Sequence, residues 1–138
     1  MLSSLQGYSR FIYSLPDQYP SIRNSTLIVI PLGATMGSTR GLLHFDHSVT
    51  LRVVEEIDFQ AGRIEYYSYT VERAGERLYW YDPQPHPHIP ELAATHPHHK
   101  HISPDIKHNR IPAPGLSFIE PNLPFLIQEV EGVVEAGG

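Results

Sequence analysis

The chain contains no cysteine. This absence excludes disulfides, cysteine-ligated zinc and thiol-based catalysis, and it leaves the redox compartment open. Long apolar runs are missing too, since none approaches the ~20 residues that a membrane-spanning helix needs. Residues 1–6 have neither a basic segment nor a long apolar core, so we expect no signal peptide and a cytoplasmic protein.

A phosphate-binding loop is also missing. Residues 33–39 contain two glycines but lack the Gly-Lys-Ser/Thr ending of such a loop, so we interpret them as a flexible connection. The net charge of −5 argues only weakly against a nucleic-acid partner, because four glutamates lie in the last nineteen residues, which have no Lys or Arg. The stretch from 96 to 110 is locally basic: Lys100, Lys107 and Arg110 outnumber Asp105.

Hydrophobic periodicity predicts helices at both ends of the chain. Leu2, Leu5, Tyr8 and Leu15 recur at helical spacing, which indicates a helix over residues 1–15 that Pro16 stops. Apolar residues after residue 120 predict a second helix over residues 121–136, with Asn122 as its cap.

The intervening residues, 25–82, predict an antiparallel sheet. Residues 25–30 form a continuously apolar strand, and a turn at 46–48 pairs Phe45 with Val49 and Leu43 with Leu51. A second hairpin closes at residues 74–75 and follows a long strand over residues 63–72. It predicts three cross-strand pairs: Val71 with Leu78, Tyr69 with Trp80, and Glu72 with Arg77. On this register Tyr79 and Tyr81 lie on the opposite face from Tyr69 and Val71.

Residues 83–124 hold ten of the thirteen prolines, so we expect neither a helix nor a central strand there. The sequence therefore predicts one α+β domain over residues 1–138: an antiparallel β-meander of about four or five strands, an N-terminal and a C-terminal helix, and a long Pro/His-rich segment over residues 83–120.

This segment holds six of the nine histidines within residues 86–101. In one interpretation the imidazoles transfer protons. Cleavage of RNA by its own 2′-hydroxyl needs a base and an acid, and two imidazoles of near-neutral pKa can supply both without a metal. Lys100, Arg63 or Arg77 would stabilise the charge at phosphorus. Asp82 or a tyrosine would orient an imidazole.

In a second interpretation the histidines bind a divalent metal such as zinc. His-x-His occurs three times, and residues i and i+2 of an extended chain lie on the same side. The candidate ligands are His86, His88, His98 and His101, with Asp82 as an oxygen ligand. In a third interpretation the segment is a surface loop whose histidines are incidental. His44 and His47 are expected to be structural or solvated.

Several stretches resemble the TumE family of small bacterial toxins. They are the run Gly-Leu-Leu-His-Phe-Asp-His-Ser-Val-Thr-Leu at 41–51, the tyrosine-rich strand at 66–70, Tyr81-Asp82, Pro85-His86, and above all Pro97-His98-His99-Lys100-His101. The resemblance covers about residues 40–101 well and the helices at both ends loosely. His47 stands where the family usually has a turn glycine, and residues 102–124 look like an extension that ordinary members lack or shorten.

The resemblance implies a toxin of a type II toxin–antitoxin system, paired with a helix-turn-helix antitoxin and acting on RNA or translation. Combined with the histidine chemistry, it leads to the hypothesis of a metal-independent endoribonuclease, a hydrolase that needs no cofactor. The expected catalytic residues are His86, His98, His99, His101, Lys100, Tyr81 and Asp82. The expected substrate-binding residues are Arg63, Arg77, Lys107 and Arg110.

Two alternatives remain. One is a His-rich metal-binding module without catalysis. The other is a non-catalytic interaction protein, in which the proline-rich segment docks a partner and the acidic C-terminal helix imitates nucleic acid or binds a basic antitoxin. We expect no membrane partner, and a homo-oligomer is compatible with the sequence.

Overall fold

The computed structural model describes residues 1–83, 97–102 and 109–137. Within these ranges the elements are α1 (Leu5–Gln18), β1 (Asn24–Ser25), β2 (Ile28–Leu32), β3 (Met36–His44), β4 (Val49–Asp58), β5 (Arg63–Arg73), β6 (Glu76–Asp82), β7 (His99–Ile102), β8 (Arg110–Pro112) and α2 (Leu123–Gly137). The eight described strands form one sheet in the order β1-β3-β4-β5-β6-β7-β8, and β2 also pairs with β3. All the described pairings are antiparallel.

Helix α1 begins at a side-chain cap, because the Oγ of Ser4 accepts the N–H of Gly7 at 3.0 Å. The predicted stop at Pro16 is wrong, since the helix continues to Gln18. A proline in the last turn removes only one helical hydrogen bond. The N–H of Tyr19 still reaches the carbonyl oxygen of Leu15 at 2.9 Å, which closes that turn.

The hairpin between β3 and β4 confirms the predicted turn and register. Leu43 faces Leu51, and the N–H of Phe45 donates to the carbonyl oxygen of Val49 at 2.9 Å. His47 at the turn has a φ of 61°, a left-handed conformation in which glycine has no steric penalty. This geometry explains a glycine preference at that position.

The strand count of four or five is too low, and the missed strands have two sources. The predicted strand over residues 25–30 divides into β1 and β2, and the side chains of Ile28 and Ile30 are exposed rather than buried. The connection at residues 33–39 is shorter than expected, because β3 begins at Met36 and pairs directly with β2. The other two additional strands, β7 and β8, lie inside the proline-rich segment, where no central strand was expected.

Strand β7 can form within the proline-rich segment because Pro97 precedes it and its own four residues contain no proline. Strand β8 ends in Pro112, a residue that strand ends and sheet edges tolerate. Residues 84–96 and 103–108 lie outside the described residues, and with them the remainder of the predicted Pro/His-rich segment.

The register of β5 and β6 differs from the prediction by one residue over most of its length. Glu72 faces Arg77 as expected, but an irregularity between Val71 and Glu72 pairs Val71 with Tyr79 and Tyr69 with Tyr81. A bulge of this kind exchanges the faces of the strand beyond it. Trp80 therefore lies on the opposite face from Tyr69.

Both helices pack on the face that carries Leu51, Val53, Tyr69 and Tyr81, where they complete the hydrophobic core. We call the opposite face the outer face. One cross-strand row on it runs through six strands and contains Leu42, Arg52, Thr70, Trp80, His101 and Arg110. Helix α2 starts two residues later than expected, and neither described helix is long and apolar enough to cross a membrane.

Candidate functional site

Asp82, His99 and His101 come together on the outer face. Strand β6 pairs with β7 so that Asp82 faces His99 and Trp80 faces His101. Because strand residues two apart lie on one face, all four side chains share a side of the sheet. We call Asp82, His99 and His101 the outer-face cluster.

The donor atoms of the outer-face cluster approach one another closely. The Nε2 atom of His99 lies 2.9 Å from Oδ1 of Asp82, and Nε2 of His101 lies 3.0 Å from Oδ2. The two Nε2 atoms are 3.0 Å apart. The side chains of His99 and His101 are 1% and 6% exposed, while that of Asp82 is 16% exposed. The cluster is thus largely buried and reaches solvent mainly through its carboxylate.

Neighbouring groups fix the orientation of each member. The indole N–H of Trp80 donates to Oδ2 of Asp82 at 3.2 Å, and its ring stacks on His101 with 4.1 Å between centroids. The Nδ1 atom of His99 lies 3.1 Å from the carbonyl oxygen of Pro97. A carbonyl only accepts hydrogen bonds, so we assign a ring proton to Nδ1, and Nε2 is directed at the cluster.

Lys100 and Tyr81 lie on the helix-covered side, away from the outer-face cluster. The ammonium of Lys100 pairs with Glu129 of α2 at 3.3 Å and lies 4.1 Å from the ring centroid of Tyr79. The hydroxyl of Tyr81 donates to the same carboxylate at 2.8 Å. Burial, and then the charge of Glu129, raises the pKa of Tyr81, so its hydroxyl remains a donor at neutral pH.

His98 takes a separate position. Its ring stacks on Tyr67, whose hydroxyl contacts Nδ1, and it lies 4.5 Å from the ring of Phe118. Burial lowers the pKa of His98, and neighbouring His99 lowers it further. The structure therefore does not bring His98 together with His101, although the two were expected to act together.

The predicted substrate-binding arginines divide into two groups. The guanidinium of Arg77 lies 4.8 Å above the ring of Trp80, and Arg110 faces His101 across β7 and β8, so both border the outer-face cluster. Arg63 instead pairs with Glu65 at 3.3 Å and lies over Phe118. Lys107, His86 and His88 lie outside the described residues.

Sequence reasoning missed Trp80 and did not include His99 among the metal ligands. The His-x-His spacing at residues 99 and 101 was the available signal for His99. This spacing places both imidazoles on one face only if residues 99–102 form a strand. The surrounding prolines argued against a strand there. Trp80 was placed on the same face as Tyr69 and Val71, because the bulge at Leu78 in β6 could not be foreseen.

In a comparison with protein families, the family model described as "Toxin TumE" matches residues 16–134, which is most of the chain and extends beyond residues 40–101, where the resemblance is strongest. No curated protein and no solved structure is significantly similar to the chain.

Proposed function

Because the chain belongs to the TumE family of toxins, we propose that it is the toxin of a toxin–antitoxin pair and that it acts as an endoribonuclease. The partner implied by the family is an antitoxin protein. We propose the outer-face cluster as the place where the RNA backbone is cleaved.

The observation that carries this proposal is the convergence of two imidazoles and a carboxylate on the outer face. Such groups transfer protons or hold a cation at neutral pH, and phosphodiester cleavage needs one or the other. Arg77 and Arg110 border the cluster, which gives the substrate phosphates two neighbouring positive charges.

The roles of the residues differ from those expected. In cleavage by the 2′-hydroxyl, the attacking and leaving oxygens lie on opposite sides of phosphorus, so a base and an acid must be well separated. The Nε2 atoms of His99 and His101 are only 3.0 Å apart and approach one point. We propose that they act together as one unit, with Asp82, rather than as an opposed acid and base.

Lys100 and Tyr81 are positioning residues in this proposal. Both bind Glu129 on the far side of the sheet and hold β6 and β7 against α2. The neutralisation of phosphate charge expected of Lys100 falls instead to Arg77 and Arg110.

Cleavage of a broad RNA panel by the purified full chain tests the proposal. We expect cleavage by the wild type, and a decrease of about 100-fold or more in the Asp82→Asn and His101→Ala variants. His44→Ala is the matched control, because it removes an imidazole from β3 and should leave the rate unchanged. Circular dichroism would verify that each variant is folded.

The result that would refute the proposal is equal cleavage by the wild type and by His101→Ala, or no cleavage of any RNA in the panel by the wild type. Expression in bacteria gives a second readout. The wild-type chain should arrest growth and Asp82→Asn should not, when both accumulate to the same level.

A further inference from the structure

We infer that Asp82, His99 and His101 form a binding site for a divalent transition metal. The inference concerns the same cluster as the proposed function, but it depends on the geometry of the cluster and not on RNA being the substrate. The expected ligand atoms are one carboxylate oxygen and the two Nε2 atoms.

The distances fit donors that surround a single ion. The Nε2 atom of His99 lies 2.9 Å from Oδ1 of Asp82, Nε2 of His101 lies 3.0 Å from Oδ2, and the two Nε2 atoms lie 3.0 Å apart. Two donors at about 2.1 Å from one ion lie about 3.0 Å apart at a right angle and about 3.4 Å apart at the tetrahedral angle. The observed separations are close to these values, and one ligand atom from each of the three residues lies within 4.8 Å of the other two.

The proton arrangement favours a cation as well. With a proton on Nδ1 directed at Pro97, the Nε2 atom of His99 meets Oδ1 of Asp82 at 2.9 Å. Two acceptors at this distance repel each other unless a proton or a cation lies between them. A metal ion would bind both atoms and His101 at the same time.

The groups that hydrogen-bond to the proposed ligands are of the kind that support metal ligands in other proteins. A ligating histidine usually donates its other ring N–H to a carbonyl or carboxylate, and a ligating carboxylate is itself hydrogen-bonded. His99 has the carbonyl of Pro97, and Asp82 has the indole N–H of Trp80. Strand β7 lies between β6 and β8, so the backbone of both histidines is held on each side.

The ligand types indicate the class of metal. Two imidazoles and one carboxylate suit zinc, manganese or iron(II) and are a poor match for magnesium or calcium, which prefer oxygen ligands. Three protein ligands leave coordination positions for water or a substrate oxygen. This set shares only His101 with the four histidines expected from the sequence. His98 packs against Tyr67 instead, and His86 and His88 lie outside the described residues.

Metal content of the untagged full chain is the first test. Elemental analysis after purification without chelators should give close to one transition-metal ion per chain. After removal of metal with a chelator, addition of zinc should raise Tm by about 5 °C or more. Cobalt(II) should give visible absorption bands typical of bound nitrogen ligands.

Substitutions test which residues bind the metal. Asp82→Asn and His101→Ala should each lower zinc affinity about 10-fold or more and weaken the cobalt bands. His98→Ala and His47→Asn, which each remove one imidazole outside the cluster, should retain the wild-type stoichiometry. Asp82→Asn nearly conserves side-chain shape, so it tests the site even if His101→Ala fails to fold.

Two results would overturn the inference: substoichiometric metal with no thermal shift by zinc, manganese or cobalt, or equal metal binding by wild type and Asp82→Asn. The first outcome would identify the cluster as a hydrogen-bonded group with a protonated imidazole. One metal per chain without RNA cleavage would leave the metal site standing and refute the endoribonuclease, so the two proposals fail separately.

Discussion

Glu55 is a fully buried carboxyl group in the middle of the core face. Its two oxygens accept hydrogen bonds from the hydroxyls of Tyr8 and Tyr69, and Asn122 donates to Tyr69 at 3.1 Å. These contacts connect α1, β4, β5 and the start of α2. Burial raises the pKa of Glu55 although the hydroxyl donors act in the opposite direction.

The Glu55→Gln variant should become more stable relative to the wild type as pH rises. A raised pKa in the folded state means that folding favours the protonated carboxyl. The stabilising contribution of that proton is complete below the ordinary pKa of 4.5 and is lost as pH rises through the higher folded pKa. The neutral amide has no such loss, so the difference in Tm should be small near pH 4 and grow towards pH 8.

Thermal denaturation of both proteins between pH 4 and 8 provides the measurement. Glu56→Gln is the control, since Glu56 lies on the outer face and pairs with Arg40 at 2.7 Å. A difference in Tm that stays constant over this range would contradict a raised pKa for Glu55.

The sequence alternation in β4 is consistent with the position of Glu55 but does not reveal its environment. Alternation in β4 puts Val53 and Ile57 on the core face, so residue 55 between them must lie there too. Tyr8 and Asn122 come from elements 47 and 67 positions away in the sequence. No local pattern indicates that Tyr8 meets this buried carboxyl or that Asn122 reaches the tyrosine bound to it.

At the level of elements, a single bulge at Leu78 of β6 determines where the site lies. The turn at Ala74 and Gly75, both with positive φ, fixes the pair Glu72 and Arg77, as the sequence predicts. The irregularity after Val71 then moves Trp80 and Asp82 to the outer face. A bulge leaves no reliable signature in residue types, so the predicted hairpin was correct at its turn and wrong beyond it.

Helix α2 supports the cluster-bearing strands from the core side. Glu129 accepts hydrogen bonds from Tyr81 of β6 and Lys100 of β7, and Glu131 accepts one from Ser21 at 2.6 Å. These two glutamates of the acidic C-terminal helix are thus engaged within the chain. Two of the acidic residues that suggested a nucleic-acid mimic or an antitoxin contact therefore already bind groups of this chain.

Glu129→Ala should lower the free energy of unfolding by about 1–3 kcal/mol. The substitution leaves the half-buried ammonium of Lys100 and the hydroxyl of Tyr81 without their carboxylate acceptor. Urea denaturation measures the effect, and Glu135→Ala on the exposed side of the same helix should change stability by less than about 0.5 kcal/mol. In a double-mutant cycle, Lys100→Met should cost less in the Glu129→Ala background than in the wild type. Additive effects would show that Lys100 and Glu129 do not interact appreciably.

On the scale of the whole molecule, the two faces of the sheet differ: one packs against the helices, and the other carries the candidate functional site. The helix-covered face holds most of the buried apolar side chains, and the outer face holds the cluster and the row of polar side chains beside it. The α+β class, both helices and the first hairpin were predictable because they depend on periodicity over many residues. The convergence of Asp82, His99 and His101 was not, because it depends on one bulge and one four-residue strand.

The sheet also ends in an edge, formed by β1 and β2 beside β3, where a further strand would be expected to pair. In an antiparallel pair, alternate residues direct their backbone groups away from the partner strand. At residues 27–31 of this edge the outward N–H groups are occupied or missing: Leu27 donates to Ser25 Oγ at 3.2 Å, Val29 donates to the Tyr13 hydroxyl at 3.0 Å, and Pro31 has none. A strand from a second chain therefore finds no free donor along these residues.

Opening this edge should make the protein self-associate. The double variant Tyr13→Phe, Pro31→Val frees the N–H of Val29 and adds one at residue 31, while the exposed aliphatic side chains of Ile28, Ile30 and Leu32 supply apolar contact area. We expect a larger, concentration-dependent molar mass by size-exclusion chromatography with light scattering than for the wild type. Tyr66→Phe is the matched control, since it removes a hydroxyl from another exposed tyrosine, on β5 (45% exposed, against 55% for Tyr13). If the double variant and the wild type have the same mass at every concentration, Tyr13 and Pro31 do not protect the edge. In that case the exposed side chains of Ile28, Ile30 and Leu32 do not cause association even when the backbone donors of the edge are free.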